Sequence, residues 1–324
     1  MELKLVSKAA ATSPAHWGVP SRGAKGWSRV GFGPAPAAKT LVLCAGNSSA
    51  TPVTNISYSS LCMCTSEERV DRSEILTLDS IRSSLIRQED SIIFSLLERA
   101  QFRYNANTYD SSAFPMDGFE GSLAEYIVKE TERLHAQVGR YKSPDEHPFF
   151  PEDLPEPLLP PIQYPNVLHP VADSININKE IWKMYFDELL PRLVKEGSDG
   201  NYGSTAVCDT FCLQALSKRI HYGKFVAEAK FQESPEAYMP AIIAQDRDQL
   251  MHLLTYETVE RAIENRVEAK AKIFGQEVNF GAEDNGDDPP VYKIRPSLVA
   301  ELYSYRIMPL TKEVQVAYLL RRLD

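Results

Sequence analysis

The absences in this sequence narrow it first. No window approaches the ~18 continuous apolar residues of a membrane span, so no membrane partner is expected. β-branched, alternating stretches are nearly absent and no internal repeat occurs, which argues against sheet proteins and solenoids. Cysteine is scarce: Cys44, Cys62, Cys64, Cys208 and Cys212 are all there is. The last two stand at i,i+4 with no nearby His or Cys to complete a metal site. They read as free thiols of a reducing compartment. No Ser-His-Asp arrangement, metal-ligand cluster or phosphate-cradling glycine loop is present, so no cofactor is expected. Positive charge is also in the minority. A formal net charge of -9 argues against nucleic acid as a partner. What remains is ordinary globular composition, 43% hydrophobic and 24% charged, in 324 residues, long enough for a sizeable core.

Residues 1–66 stand apart. They are rich in Ala, Ser, Thr, Gly and Pro. Lys4, Lys8, Arg22, Lys25, Arg29 and Lys39 face Glu2 as the only acid. A basic, Ser-rich, acid-poor N-terminus has the composition of an organelle transit peptide, and it lacks the compact apolar core of a secretory signal. Six bases and one acid amount to +5, so without them the remainder carries about -14.

Residues 67–324 read as a single all-α domain, a multi-helix bundle with long helices and a Pro-rich crossover. Apolar residues Ile81, Leu85, Ile92, Ile93, Leu96 and Leu97 recur near a 3.6 period and predict a helix over 76–104, with Asp79 or Ser80 as its cap. A second helix is predicted over 122–138. Nine of the 22 prolines fall in residues 143–170. They rule out regular helix there, and Phe149, Phe150, Leu158, Leu159 and Tyr164 predict a crossover packed on a surface. Helices are expected again over 178–195, over 204–232 with Ser204 as N-cap, over 246–274, and over 296–323 with a bend near Pro309. The sequence GQEVNFGAEDNGDDPP reads as a polar break.

The stretch SKRIHYGKFVAEAKFQ, residues 217–232, carries Arg219, His221, Lys224 and Lys230 with Glu228 as its only acid. Arg219 and Lys230 are three helical turns apart, roughly 16 Å along an axis. They share a face, with room between their tips for a small anion. Alone, this is equally a solvated basic face, or a scaffold that docks an acidic partner. Other polar pairs stand at i,i+4: Tyr256 with Glu260, and Thr311 with Gln315. With Arg82 at the edge of the first apolar stripe, the set implies a basic pocket rich in hydrogen-bond donors. Without nucleophile or metal, such a pocket suits charge stabilisation or anion binding.

The strings SIRSSLIRQEDSIIFSLLERAQF, YKSPDEHPFFPEDLP, SKRIHYGKFVAEAKFQ and PLTKEVQVAYLLRRLD resemble the all-helical chorismate mutases of plants and fungi, and most closely the plastid forms. The resemblance runs from about Leu76 to the C-terminus. It implies an isomerase in the chloroplast stroma that rearranges chorismate to prephenate without a cofactor, on the route to Phe and Tyr. It assigns Arg82 and Arg219 to the substrate carboxylates, Lys230 to the ether oxygen, Glu260 to the hydroxyl, and Thr311 to the pocket. Gln315 stands where the fungal enzymes have a glutamate. That acid must be protonated to donate, whereas an amide always can. Tyr256 replaces a fungal asparagine and reads as packing at the substrate pocket. The resemblance also implies a homodimer whose interface binds Trp, Phe and Tyr as effectors. Gly203, Ser204 and Arg140 match that site, while Gly139 and Val207 replace a fungal arginine and threonine. The alternative is an aromatic amino-acid-sensing helical module without turnover. His221, Lys224 and Glu228 have no assigned role, although Lys224 and Glu228 have the spacing of an ion pair.

Overall fold

Local capping sets the helix starts. Thr77 caps α1 (Leu78–Arg99), its hydroxyl accepting from the Ser80 amide at 3.2 Å. The expected caps, Asp79 and Ser80, lie inside the first turn. Ser122 and Glu125 form a reciprocal capping box at α2 (Leu123–Gln137). Asp246 caps α8 (Arg247–Leu254) through the Gln249 amide. The coordinates are a computed structural model that describes residues 77–160, 164, 166–277 and 290–324. The transit-peptide reading of residues 1–66 lies outside the described residues.

Among those residues the architecture is helical, with two isolated β-bridges. After the crossover come α3 (Asn178–Lys183), a π turn (Met184–Leu189) and α4 (Leu190–Leu193). Then follow α5 (Tyr202–His221), α6 (Gly223–Glu233), α7 (Pro235–Ile243), α8, and α9 (Glu257–Gly275). The chain ends with α10 (Pro296–Leu302), a second π turn (Tyr303–Ile307) and α11 (Met308–Leu320). Each π turn ends just ahead of a proline, Pro191 or Pro309. A proline lacks the N–H and clashes with the carbonyl one turn back, and the wider turn relieves both. The bend expected near Pro309 therefore takes the form of a π turn.

Other expectations shift by a turn or split. The helix predicted over 204–232 starts earlier, at Tyr202 with Asn201 in the cap position, and divides at Tyr222, which keeps helical φ/ψ of -60° and -12°. The helix predicted over 246–274 is two, separated at Thr255–Tyr256. Helix α7 was not anticipated. In the crossover, Phe149 and Phe150 pack edge-on against Trp182. Leu158 and Leu159, expected to pack likewise, are exposed.

The core forms around α5, whose Leu213, Leu216 and Ile220 are fully buried. Ile92, Ile93 and Leu96 of α1, Val128 of α2, and Val314, Tyr318 and Leu319 of α11 pack into the same cluster. Each such aliphatic side chain contributes ~1.5–3 kcal/mol on burial. Together they fix the helices that carry the polar residues considered next.

Candidate active site

Helices α1, α5, α6, α7, α8, α9 and α11 line a cavity of about 750 Å³, and all seven pocket residues expected from the sequence line it: Arg82, Arg219, Lys230, Tyr256, Glu260, Thr311 and Gln315. One glycine permits the closest helix contact. A Cβ on Gly223 would lie 2.7 Å from the Thr311 carbonyl and 3.1 Å from its methyl group. Only a residue without a side chain lets the start of α6 rest against α11 there.

Arg219 is buried at 3% exposure, and its guanidinium has no carboxylate within ion-pair distance among the described residues. Its Nη1 donates to the Thr311 hydroxyl at 3.4 Å, and its Nε has no hydrogen-bond partner. The Thr311 hydroxyl in turn donates to the Ile307 carbonyl at 2.6 Å, so its oxygen is left to orient Arg219. Burial lowers the Arg219 pKa, with Tyr303 and Glu89 acting in the opposite direction.

Lys230 is similarly unpaired. Its ammonium lies 4.5 Å above the Tyr256 ring and makes one long contact, 3.5 Å, to the Leu254 carbonyl. Burial brings its pKa down to about 8, while Glu260 raises it and Lys312 lowers it. Two of the three acids that line the cavity are engaged elsewhere. Glu260 pairs with Lys312 at 2.9 Å. The buried Glu89 accepts both prongs of Arg266, at 2.9 and 2.6 Å, and Lys270 at 3.1 Å. Gln315 is buried, donates to the Thr311 carbonyl at 3.3 Å and has an unpartnered Oε1. Its amide carries a second N–H beyond the one given to Thr311. Arg82 stands at the rim, its side chain 66% exposed and paired with Asp79 at 2.6 Å. The arrangement is a cavity with one buried and one half-buried cation, neither held by a carboxylate among the described residues.

Sequence reasoning missed Lys312, Glu89, Arg266 and Gly223. The glycine did carry a signal, because a helix-interior glycine costs about 1 kcal/mol and so has a packing reason. The other three offered none, since what matters is their pairing across helices. The suggested Lys224–Glu228 pair does not form. Glu228 accepts from Arg322 at 2.6 and 2.9 Å. Lys224 is buried and donates to the Ala172 carbonyl at 2.6 Å and to His147 at 2.7 Å. His221 stacks on His147 at 4.1 Å and accepts from the Ile177 amide, a structural role.

The residues expected to bind effectors do not form one site within the chain. Gly203, Ser204 and Val207 are exposed near the start of α5. Arg140 contacts His135, Glu146 and Gln214. Gln214 is ten residues past Ser204, roughly 15 Å along the helix. Gly139 has φ +80°, a left-handed conformation that favours glycine over arginine.

Comparison with known proteins now adds to the geometry. The family described as chorismate mutase type II matches residues 201–316. "Chorismate mutase 1, chloroplastic" of Zea mays is 80% identical over 326 residues, covering 100% of both chains. The chain belongs to the chorismate mutase family. It is a chloroplast-type member. The crystal structure of the Zea mays chloroplast chorismate mutase superposes with a TM-score of 0.71 at 84% identity, covering 79% of this chain and 99% of that one. AtCM1 structures with tyrosine and with phenylalanine in the allosteric site match at TM-score 0.72 and 71% identity, covering 78% of this chain and 99% of each. The family acts on its substrate as an isomerase, and nothing in these matches favours a sensing module without turnover.

Proposed function

We propose that the cavity rearranges chorismate to prephenate by holding the substrate dianion in its compact reactive conformer. The observation that carries this reading is the pair of cations, the buried Arg219 and the half-buried Lys230, without carboxylate partners in a cavity whose Glu89 and Glu260 are neutralised by other cations. In the rearrangement the ether C–O bond breaks as a C–C bond forms, and no proton has to move. Catalysis then rests on orientation and on stabilising the negative charge that grows on the ether oxygen. Arg219 and Arg82 clamp the two carboxylates, since a planar fork matches a carboxylate better than an ammonium does. The Lys230 ammonium and the second Gln315 N–H donate to the ether oxygen. Glu260, held by Lys312, faces the substrate hydroxyl. Thr311 orients Arg219.

Residues 67–324 constitute the catalytic domain in this reading, and residues 1–66 a transit peptide. The maize crystal match covers 79% of this chain, and residues 67–324 are 258 of its 324 residues. A homodimer brings together Arg140 from one copy and the Gly203–Ser204 helix start from the other, where free N–H groups suit a carboxylate. The exposed apolar residues Leu134, Val138, Val207 and Phe211 support a second copy on that side. Trp, Phe and Tyr are the effectors of this site.

Two assays test the proposal. Purified residues 67–324 should consume chorismate far faster than buffer, followed by its absorbance, and Lys230→Ala should abolish turnover with helical content intact. An active Lys230→Ala enzyme contradicts the assignment. Initial rates should also respond to added Trp, Phe or Tyr, whereas flat responses to all three remove the effector reading.

A further inference from the structure

Lys230 is half-buried and lacks the partner that lysines taken partly out of water usually have. No carboxylate lies within 4 Å of it among the described residues, because Glu260 is drawn to Lys312 at 2.9 Å. Lys312 is anchored further by the Thr255 hydroxyl at 3.3 Å. What meets the Lys230 ammonium is the face of Tyr256, at 4.5 Å from the ring centroid. Tyr256 sits in the break between α8 and α9, half exposed at the cavity. It lies beside the buried Tyr238 hydroxyl, whose pKa is raised by burial and by this neighbour.

This juxtaposition has a chemical consequence. A carboxylate beside Lys230 would hold the charge but would compete with an anionic substrate for it. An aromatic face attracts the cation through its quadrupole. It offers no lone pair on the line to the substrate and brings no negative charge that would repel a dianion. We propose that Tyr256 is a positioning residue for the chorismate reaction: its ring holds the Lys230 ammonium charged and aimed into the cavity without neutralising it. The role belongs to the ring and not to the hydroxyl. The proposal rests on the reading of Lys230 as the donor to the ether oxygen. It replaces the expectation that Tyr256 serves as packing.

The charged groups around Lys230 fix the sign of the pH effect. Glu260 of α9 favours its charged form, Lys312 of α11 disfavours it, and burial disfavours it most. Removing the ring takes away a contribution that favours the charge. The basic limb of kcat/KM should therefore move to lower pH.

The test is a series at position 256 in otherwise intact enzyme. Tyr256→Phe keeps the face and should stay within about threefold of the parent. Tyr256→Leu should lose about tenfold in kcat/KM, as expected for a partly solvated cation–π contact, and its basic limb should move to lower pH. Phenylalanines carrying one, two and three ring fluorines at this position should lower log kcat/KM stepwise, since fluorine weakens the face at nearly constant shape. Tyr256 is half exposed, so the variants should fold, and far-UV circular dichroism checks this. A Tyr256→Leu enzyme with parental kcat/KM and an unmoved basic limb overturns the proposal. So does a Phe variant as impaired as Leu, or a flat fluorine series. Lys230→Ala separates the two claims. If it is inactive while Tyr256→Leu is unaffected, only the positioning role falls. If it is active, the reading of Lys230 falls as well.

Discussion

Two buried arginines on facing parts of the core show how one residue type serves opposite ends. Arg99, at the end of α1, has a fully buried side chain with its donors occupied. Its Nε donates to Asp209 at 2.7 Å, Nη1 to the Phe102 carbonyl at 3.1 Å, and Nη2 to the Arg103 carbonyl at 3.2 Å and the Tyr109 hydroxyl at 3.0 Å. Asp209 accepts in addition from Tyr109 and Tyr185, at 2.7 and 2.6 Å. Burial opposes the Arg99 charge, but Asp209 and the neighbouring phenols outweigh it and hold the pKa above the usual arginine value. Arg219 is nearly as buried yet lacks a carboxylate, and its pKa falls. The first arrangement ties α1 to α5 and the loop before residue 109. The second leaves desolvated charge facing the cavity, which opposes folding and favours an anion. Lys230 follows the same logic. Its folded pKa of about 8 lies below the ~10.4 of an unfolded lysine. The unfolded chain thus binds more protons between those values, and the opposition to folding is relieved as pH rises through them.

The largest effects should come from exchanging the two arginines for alanine. Arg219→Ala should lower kcat/KM by about 10³ while leaving urea-unfolding stability unchanged or higher. Arg99→Ala strands a buried carboxylate and should cost about 3–5 kcal/mol of stability, with activity per folded molecule near the parent. If both variants lost stability alike and activity alike, the contrast would dissolve. A smaller effect belongs to Gln315→Glu. A buried glutamate donates to the ether oxygen only when protonated, so its kcat/KM should decline as pH rises, reaching roughly 10² below the parent at pH 8. Equal activity at pH 8 would mean that Gln315 does not donate.

Much of this contrast was legible in the sequence on one side only. Arg82, Arg219, Lys230, Thr311 and Gln315 announced themselves through helical spacing and a family resemblance, and the cavity collects them all. The Arg99–Asp209 pair spans 110 positions, and no local pattern encodes it. The same holds for Lys312 drawing Glu260 away from Lys230, a contact between α11 and α9. The long helices followed from apolar periodicity, and α7 did not. The breaks at Tyr222 and Thr255 did not, because Thr255 carries no proline or glycine stop, and at Tyr222, ahead of Gly223, the backbone stays helical. The residues expected to bind effectors were matched singly but not as a site, since Arg140 and Ser204 lie on parts of one chain that do not meet.

The most direct test of the central claim, that the cavity holds an unpaired lysine for a dianion, is the proton taken up on ligand binding. A non-reacting dianionic analogue of the compact conformer should be titrated into the enzyme by calorimetry, in buffers of different ionisation heat. A bound dianion raises the Lys230 pKa above its free value of about 8. At pH 8 binding should take up about half a proton, falling to almost none at pH 6 and vanishing in Lys230→Met. Binding at pH 8 with no proton uptake would contradict the account.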